Sequence, residues 1–149
     1  MYKRGNGTVV FSYDQDDLFD SVSMQSSYIS RSVRNDAGEY VGEDLALSHD
    51  EDDVFGECFR KCANSLASSF LKTSMDFEVE DGFCVRFRDN GVKDKVLKSI
   101  DQGFTDALVY GILSNWFEVC SDGKLVEYCD SVQADKLRKL WIDMFWMRM

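Results

Sequence analysis

Hydrophobic and polar positions along this chain follow two different periods. Over 14–34, Leu18, Val22, Ile29 and Val33 recur at helical spacing, with Gln25 and Ser26 filling a thin, serine-rich stripe. Asp14, Asp16 and Asp17 open that segment and Arg31 and Arg34 close it, both matched to a helix dipole. A second helix is predicted over 48–73 from Phe55, Cys58, Phe59, Cys62, Leu66, Ser69 and Phe70. Its start reads as a capping box, Ser48-His49-Asp50-Glu51, in which Ser48 and Glu51 each satisfy a free backbone N–H. Two longer stripes follow. One runs from Asp94 to Cys120 through Val96/Leu97, Ile100, Phe104, Ala107/Leu108, Gly111/Ile112 and Asn115/Trp116. The other runs from Leu125 to Phe145 through Tyr128/Cys129, Val132, Leu137, Leu140/Trp141 and Met144/Phe145. Ser121-Asp122-Gly123 joins them, so 94–145 is predicted to be an antiparallel helix pair.

Period two appears in 75–87. Met75, Phe77 and Val79 alternate with Asp76 and Glu78, and Phe83, Val85 and Phe87 alternate with Cys84 and Arg86. A three-residue loop, Glu80-Asp81-Gly82, keeps the apolar faces together and sets Asp76 opposite Arg86; it asks for Gly82 at positive φ. Residues 7–13, Gly-Thr-Val-Val-Phe-Ser-Tyr, read as a short strand or extended arm, so that 1–13 forms an N-terminal arm. Residues 35–47 hold Asn35, Asp36, Gly38 and Gly42 and read as a loop. The predicted fold is mostly α (α+β): one domain over 1–149, a four-helix core, one β-hairpin between helices 2 and 3, and the arm.

Length and composition agree with a single core, since 149 residues with 44% apolar content form one ordinary domain. The absence of proline suits long helices. Charge changes the picture more. Acids outnumber bases 27 to 17, and residues 1–57 carry 13 acids against 4 bases. Such a surface disfavours sequence-specific nucleic-acid binding and anionic membranes. No apolar run reaches membrane-spanning length, and Lys3-Arg4 lead into Gly-Asn-Gly rather than a signal-peptide core.

Candidate chemistry is sparse. Five cysteines, Cys58, Cys62, Cys84, Cys120 and Cys129, are an odd set in apolar contexts, which points to reduced, buried thiols. Cys58 and Cys62 lie one helical turn apart without zinc-knuckle spacing, so no metal site is expected. The run His49-Asp50-Glu51-Asp52-Asp53 lacks the alternating ligands and glycine of a calcium loop and reads as an acidic first turn. His49 is the sole histidine and no phosphate loop, nucleophile elbow or dinucleotide fingerprint occurs; no catalytic residue, cofactor or enzyme activity is expected. The tail is the more informative segment. Leu137, Leu140, Trp141, Met144 and Phe145 share a face, and Ile142, Trp146, Met147 and Met149 widen it. Two readings stay open: a terminal helix buried in its own domain, or an interface. The interface reading takes Trp141, Phe145, Trp146, Met147 and Met149, together with Val9 and Phe11 of the arm.

Two segments carry a resemblance. Leu45-Ala46-Leu47-Ser48-His49-Asp50-Glu51-Asp52-Asp53 resembles an "(L/A)-L-(T/S)-x-D-(D/E)-(D/E)" helix entry, and Asp106–Phe117, DALVYGILSNWF, resembles an "LVxxxLxxWF" helix. Together with the element order they resemble small virion proteins of tailed phages of gut Bacteroidetes, of the head–tail connector or tail-completion type. The likeness covers about 50–145. It implies a virion protein made in the host cytoplasm, a homo-oligomeric ring contacting portal, connector or tail proteins, without catalysis or cofactor. The alternative reading is a cytoplasmic acidic interaction or inhibitor module that mimics nucleic acid.

Overall fold

The computed structural model describes residues 1–36, 45–69, 76–79 and 82–145. Within them the chain is mostly helical, with four α-helices and a small antiparallel sheet. The predicted end of helix 2 near Thr73, the glycines at 38 and 42, and Glu80-Asp81 lie outside the described residues.

The N-terminal segment is not an arm. Strand β1 (Tyr2–Gly5) folds back on β2 (Thr8–Asp14). Asn6 and Gly7 both take positive φ, 54° and 77°, which is the geometry of a primed two-residue hairpin turn. After helix α1 (Gln15–Asp36), a 3₁₀ turn (His49–Glu51) and helix α2 (Asp52–Ser69), the chain adds β3 (Asp76–Val79) and β4 (Gly82–Arg88). β4 pairs with β2 on one side and β3 on the other, giving the order β1-β2-β4-β3. Strands thus lie both before the first helix and between the second and third, and the expectation of a single hairpin is corrected. The physical reason is the inner row Val9, Phe11 and Tyr13, which is too apolar to stay unpaired and finds Phe87, Val85 and Phe83 directly opposite.

The β3–β4 register sets Val79 opposite Phe83, Phe77 opposite Val85 and Asp76 opposite Arg86. Gly82, however, is not at positive φ. It is already part of β4, and a Cβ there would lie 3.0 Å from the Tyr13 carbonyl oxygen. Close approach of two strands, rather than a left-handed turn, is what requires glycine.

Helix α3 (Asp94–Val119) crosses the inner face of the sheet, and α4 (Gly123–Phe145) packs antiparallel against it. Phe104 of α3 is the hub: its ring lies 5.5 Å from Phe11, 6.0 Å from Tyr13 and 5.8 Å from Phe83. Burying four such rings together removes several hundred Å² of apolar surface from water. The Tyr13 hydroxyl donates to Asp101 Oδ1 at 2.7 Å, tying β2 to α3. At the other end of the sheet, Arg4 donates from Nε and Nη2 to Asp89 at 2.8 and 3.1 Å, from Nη1 to Asp94 at 3.0 Å, and also to the Val92 carbonyl.

Tight helix contact depends on Gly111. A Cβ there would lie 2.3 Å from Cys62 Sγ and 2.4 Å from Gln133 Nε2, so this glycine lets α2 and α4 meet over α3. The capping box does not form as expected. Ser48 makes no side-chain cap; its hydroxyl bonds the Glu51 carboxylate at 3.1 Å, while the Glu51 N–H reaches the Ser48 carbonyl at 3.0 Å. The 3₁₀ turn closes the first N–H groups locally and leaves the box nothing to cap.

Candidate interaction surfaces

Of the residues expected at an interface, Val9 and Phe11 are fully buried and face α3, so they are corrected to core. Trp141 is 38% exposed on α4, and the neighbouring Ile142 is 60% exposed. Leu140 and Met144, flanking them, are buried and seat this last stretch of α4 in the core. The side chain of Phe145 and all of Trp146, Met147 and Met149 lie outside the described residues. Tyr128, expected inward beside Cys129, is exposed, and Cys129 alone takes the core position.

The serine-rich face of α1 has a role that apolar periodicity does not register. Ser26 and Ser30 are fully buried. Each hydroxyl donates to its own helix, to the carbonyls of Ser23 and Ser27, and accepts from the extended segment alongside: Leu47 N–H onto Ser26 at 2.9 Å, Leu45 N–H onto Ser30 at 3.3 Å. Ser23 donates to the Leu47 carbonyl at 2.6 Å, and Trp116 Nε1 donates to the Leu45 carbonyl at 2.8 Å. Residues 45–47 are therefore held as a strand is held, but by side chains of a helix. The signal available in the sequence is the spacing of Ser23, Ser26 and Ser30 on one helical face.

Cys58 lies within electrostatic reach of both Cys62 and Cys120. Cys58, Cys62 and Cys129 are buried, while Cys84 and Cys120 are half-buried. Burial pushes the Cys62 and Cys129 thiols up to about 12 and Cys58 up to about 11, which keeps them protonated near neutral pH. Among the described residues no group of three or more His, Cys, Asp or Glu side chains is placed to hold a metal ion. A cavity of about 540 Å³ at one end of the sheet is lined by Tyr13, Asp14, Asp17 and Cys84 and lacks a histidine. A smaller one, about 200 Å³, lies where Ser114 Oγ donates to Asp130 at 2.5 Å beside Cys62 and Gln133. Gln133 in turn donates to the Ala107 carbonyl at 2.9 Å, so these groups are committed to joining helices.

Charge is segregated along α3. Near its start, Arg88, Lys93, Lys95 and Lys98 are exposed, with Arg138 and Lys139 on the stretch of α4 that runs beside it. Ser99 donating to Asp143 at 2.5 Å fixes that adjacency. Near its end, Asn115 donates to the Cys58 carbonyl and Lys61 lies 3.6 Å from Glu118, which places the middle of α2 there. The start of α2 joins the start of α1 through Phe19, whose ring stacks on His49 at 4.2 Å and meets Phe55 edge-on at 5.0 Å. Two acidic helix starts are thereby brought together, with Asp16, Asp17, Asp20, Asp50, Asp52 and Asp53 all exposed. No described helix is long and apolar enough to cross a membrane. No protein-family model matches the chain, and comparison with the curated proteins and with the solved structures gives no match either.

Proposed function

We propose that the chain is a non-catalytic structural subunit of a tailed-phage virion, of the head–tail connector, neck or tail-completion type, acting by contact with copies of itself and with neighbouring virion proteins. The observation that carries this reading is the end of α4. Leu140 and Met144 anchor it, yet Trp141 and Ile142 point outward, the arrangement of a helix that presents apolar side chains to a partner. The two segments on which the resemblance rests also touch, through Trp116 Nε1 and the Leu45 carbonyl. No cofactor enters this reading. Electron microscopy of the purified protein and of particles tests it: density for this chain in a ring at the neck or tail supports the reading, and its absence from mature particles and assembly intermediates overturns it.

A second reading is favoured by one observation, the joined acidic starts of α1 and α2. Six exposed carboxylates in that region suit an inhibitor that occupies a basic, nucleic-acid-binding surface of a partner. A monomer that displaces DNA from such a partner, in a competition assay, selects this reading over the first.

A further inference from the structure

We infer that Asn6-Gly7 is a self-modifying site: the Asn6 carboxamide is lost as ammonia, with water as the only co-reactant, and the isoaspartyl product unlatches β1 from the sheet. The chemistry is intramolecular, so the two reacting groups are held together by the chain itself. The Gly7 backbone nitrogen attacks Asn6 Cγ, the new N–Cγ bond closes a succinimide ring, and the Cγ–Nδ2 bond breaks. The proton released from the Gly7 nitrogen leaves with the ammonia. Water then opens the ring. Addition at Cγ restores the ordinary chain with an aspartate at position 6. Addition at the Asn6 backbone carbonyl carbon routes the chain through the side chain and lengthens it by one methylene. Asparagine and water are consumed, an aspartyl or isoaspartyl residue and ammonia are formed, and nothing is oxidised or reduced.

The sequence holds two such pairs, Asn6-Gly7 and Asn90-Gly91, and the structure separates them. Both are exposed, and both glycines have positive φ, 77° and 84°. No atom lies within 4 Å of where either glycine would carry a Cβ. Hydrogen bonding is what differs. At the second pair the attacking nitrogen is occupied, since Gly91 N–H donates to Asp89 Oδ1 at 2.9 Å. The carboxamide is occupied as well, because Asn90 Oδ1 accepts from Val92 N–H at 3.3 Å. At the first pair, neither the Gly7 nitrogen nor the Asn6 carboxamide has a hydrogen-bond partner among the described residues. The bonds of that turn go elsewhere: Thr8 Oγ1 donates to the Gly5 carbonyl at 3.1 Å, and Asp89 N–H donates to the Gly7 carbonyl at 2.9 Å. Ring closure at Asn6 needs only a local opening of an exposed turn. At Asn90 two bonds must break first, one of them to a carboxylate.

Position 6 is also where a longer backbone does most harm. Arg4 and Gly7, on either side of it, both bind Asp89: Arg4 through its guanidinium at 2.8 and 3.1 Å, Gly7 through its carbonyl. A methylene added between them sets the two contacts against each other. A two-residue turn has no slack to absorb it. The new carboxylate also competes with Asp89 and Asp94 for Arg4. β1 therefore leaves β2, whose edge then stands open to another strand.

Ageing the full chain in mildly alkaline buffer, followed by peptide mass spectrometry, tests the site. Trypsin releases Gly5–Arg31, in which Asn6 is the sole asparagine, and Asp89–Lys93, in which Asn90 is. Each conversion is read as a mass gain of one dalton. In the folded chain Asn6 converts roughly tenfold or more faster than Asn90, the factor that breaking one hydrogen bond to a charged group imposes. In urea the two rates converge. Equal rates in the folded chain, or an Asn6 that converts in urea and not when folded, overturn the site. Asn6→Gly keeps a residue suited to positive φ and has no carboxamide to lose. Hydrogen exchange across residues 2–5 speeds up on ageing in the wild type and stays slow in this variant. An unchanged exchange rate in the converted wild type, or equal loosening of both proteins, overturns the unlatching.

Discussion

Gly111 shows how little room the helix junction leaves. Its missing Cβ is the space occupied by Cys62 Sγ and Gln133 Nε2. Gly111→Ala gains helix propensity but must push one neighbour aside, and overpacking of this kind costs about 1–3 kcal/mol. Urea denaturation should show a lowered midpoint with an unchanged slope. The same junction sets a pH response. Burial holds the Cys62 and Cys129 thiols at about 12, against an ordinary value of 9.0. The unfolded chain releases these protons first, so the stability they contribute is complete below pH 9 and is lost as pH rises toward 12. A Cys62→Ala, Cys129→Ala double variant should lose less stability between pH 8 and pH 11 than the wild type, measured as the shift in urea midpoint. At this scale the apolar stripes were legible, because each buried Leu, Ile or Phe announces itself. Glycine 82 was legible as necessary but not for its reason, since a strand-to-strand approach leaves no local trace.

Among the elements, α3 and α4 were readable because their stripes run for many turns without a competing signal. The β3–β4 register was readable because only one pairing keeps the apolar faces together. β1 was not readable from alternation: Tyr2 is its one apolar residue, and the informative feature is the Asn6-Gly7 pair itself. Its exposed Arg4 reads as an unattached surface charge until Asp89 and Asp94 are seen beside it. Arg4 holds the Asp89 carboxyl below its ordinary range, chiefly by hydrogen bonding. A depressed carboxylate contributes stability above its unfolded value of 3.8, and that contribution disappears as pH falls through the folded value. Arg4→Met should therefore lower the neutral-pH melting temperature and flatten the acid limb below pH 4. Equal acid limbs in the two proteins would show that the clasp contributes nothing in solution.

For the molecule as a whole, the end of α4 separates core from surface within three residues. Ile142→Glu should leave stability within about 0.5 kcal/mol of the wild type and reduce self-association. Met144→Ala, at a buried site, should cost about 2–5 kcal/mol. Thermal melts and sedimentation on the same samples distinguish the two effects. Loss of folding in the Ile142 variant would mean that this face belongs to the core. The candidate surface was legible in part. Trp141 stands at the surface, whereas Val9 and Phe11 were drawn inward by a partner strand more than 70 residues away, and no local pattern reports such a partner.

That separation also matters while the chain is being made. Strand β2 leaves the ribosome long before β4 exists; at ~5–20 residues per second the interval is roughly 4–15 s. Throughout it Val9, Phe11 and Tyr13 form an apolar strand with nothing to cover them, a stretch liable to aggregate. β1 is in place from the outset: the Asn6-Gly7 turn occupies one edge of β2 at once, and Lys3 and Arg4 put positive charge beside it. A strand that is only a margin of the finished sheet is thus, for the nascent chain, its earliest guard.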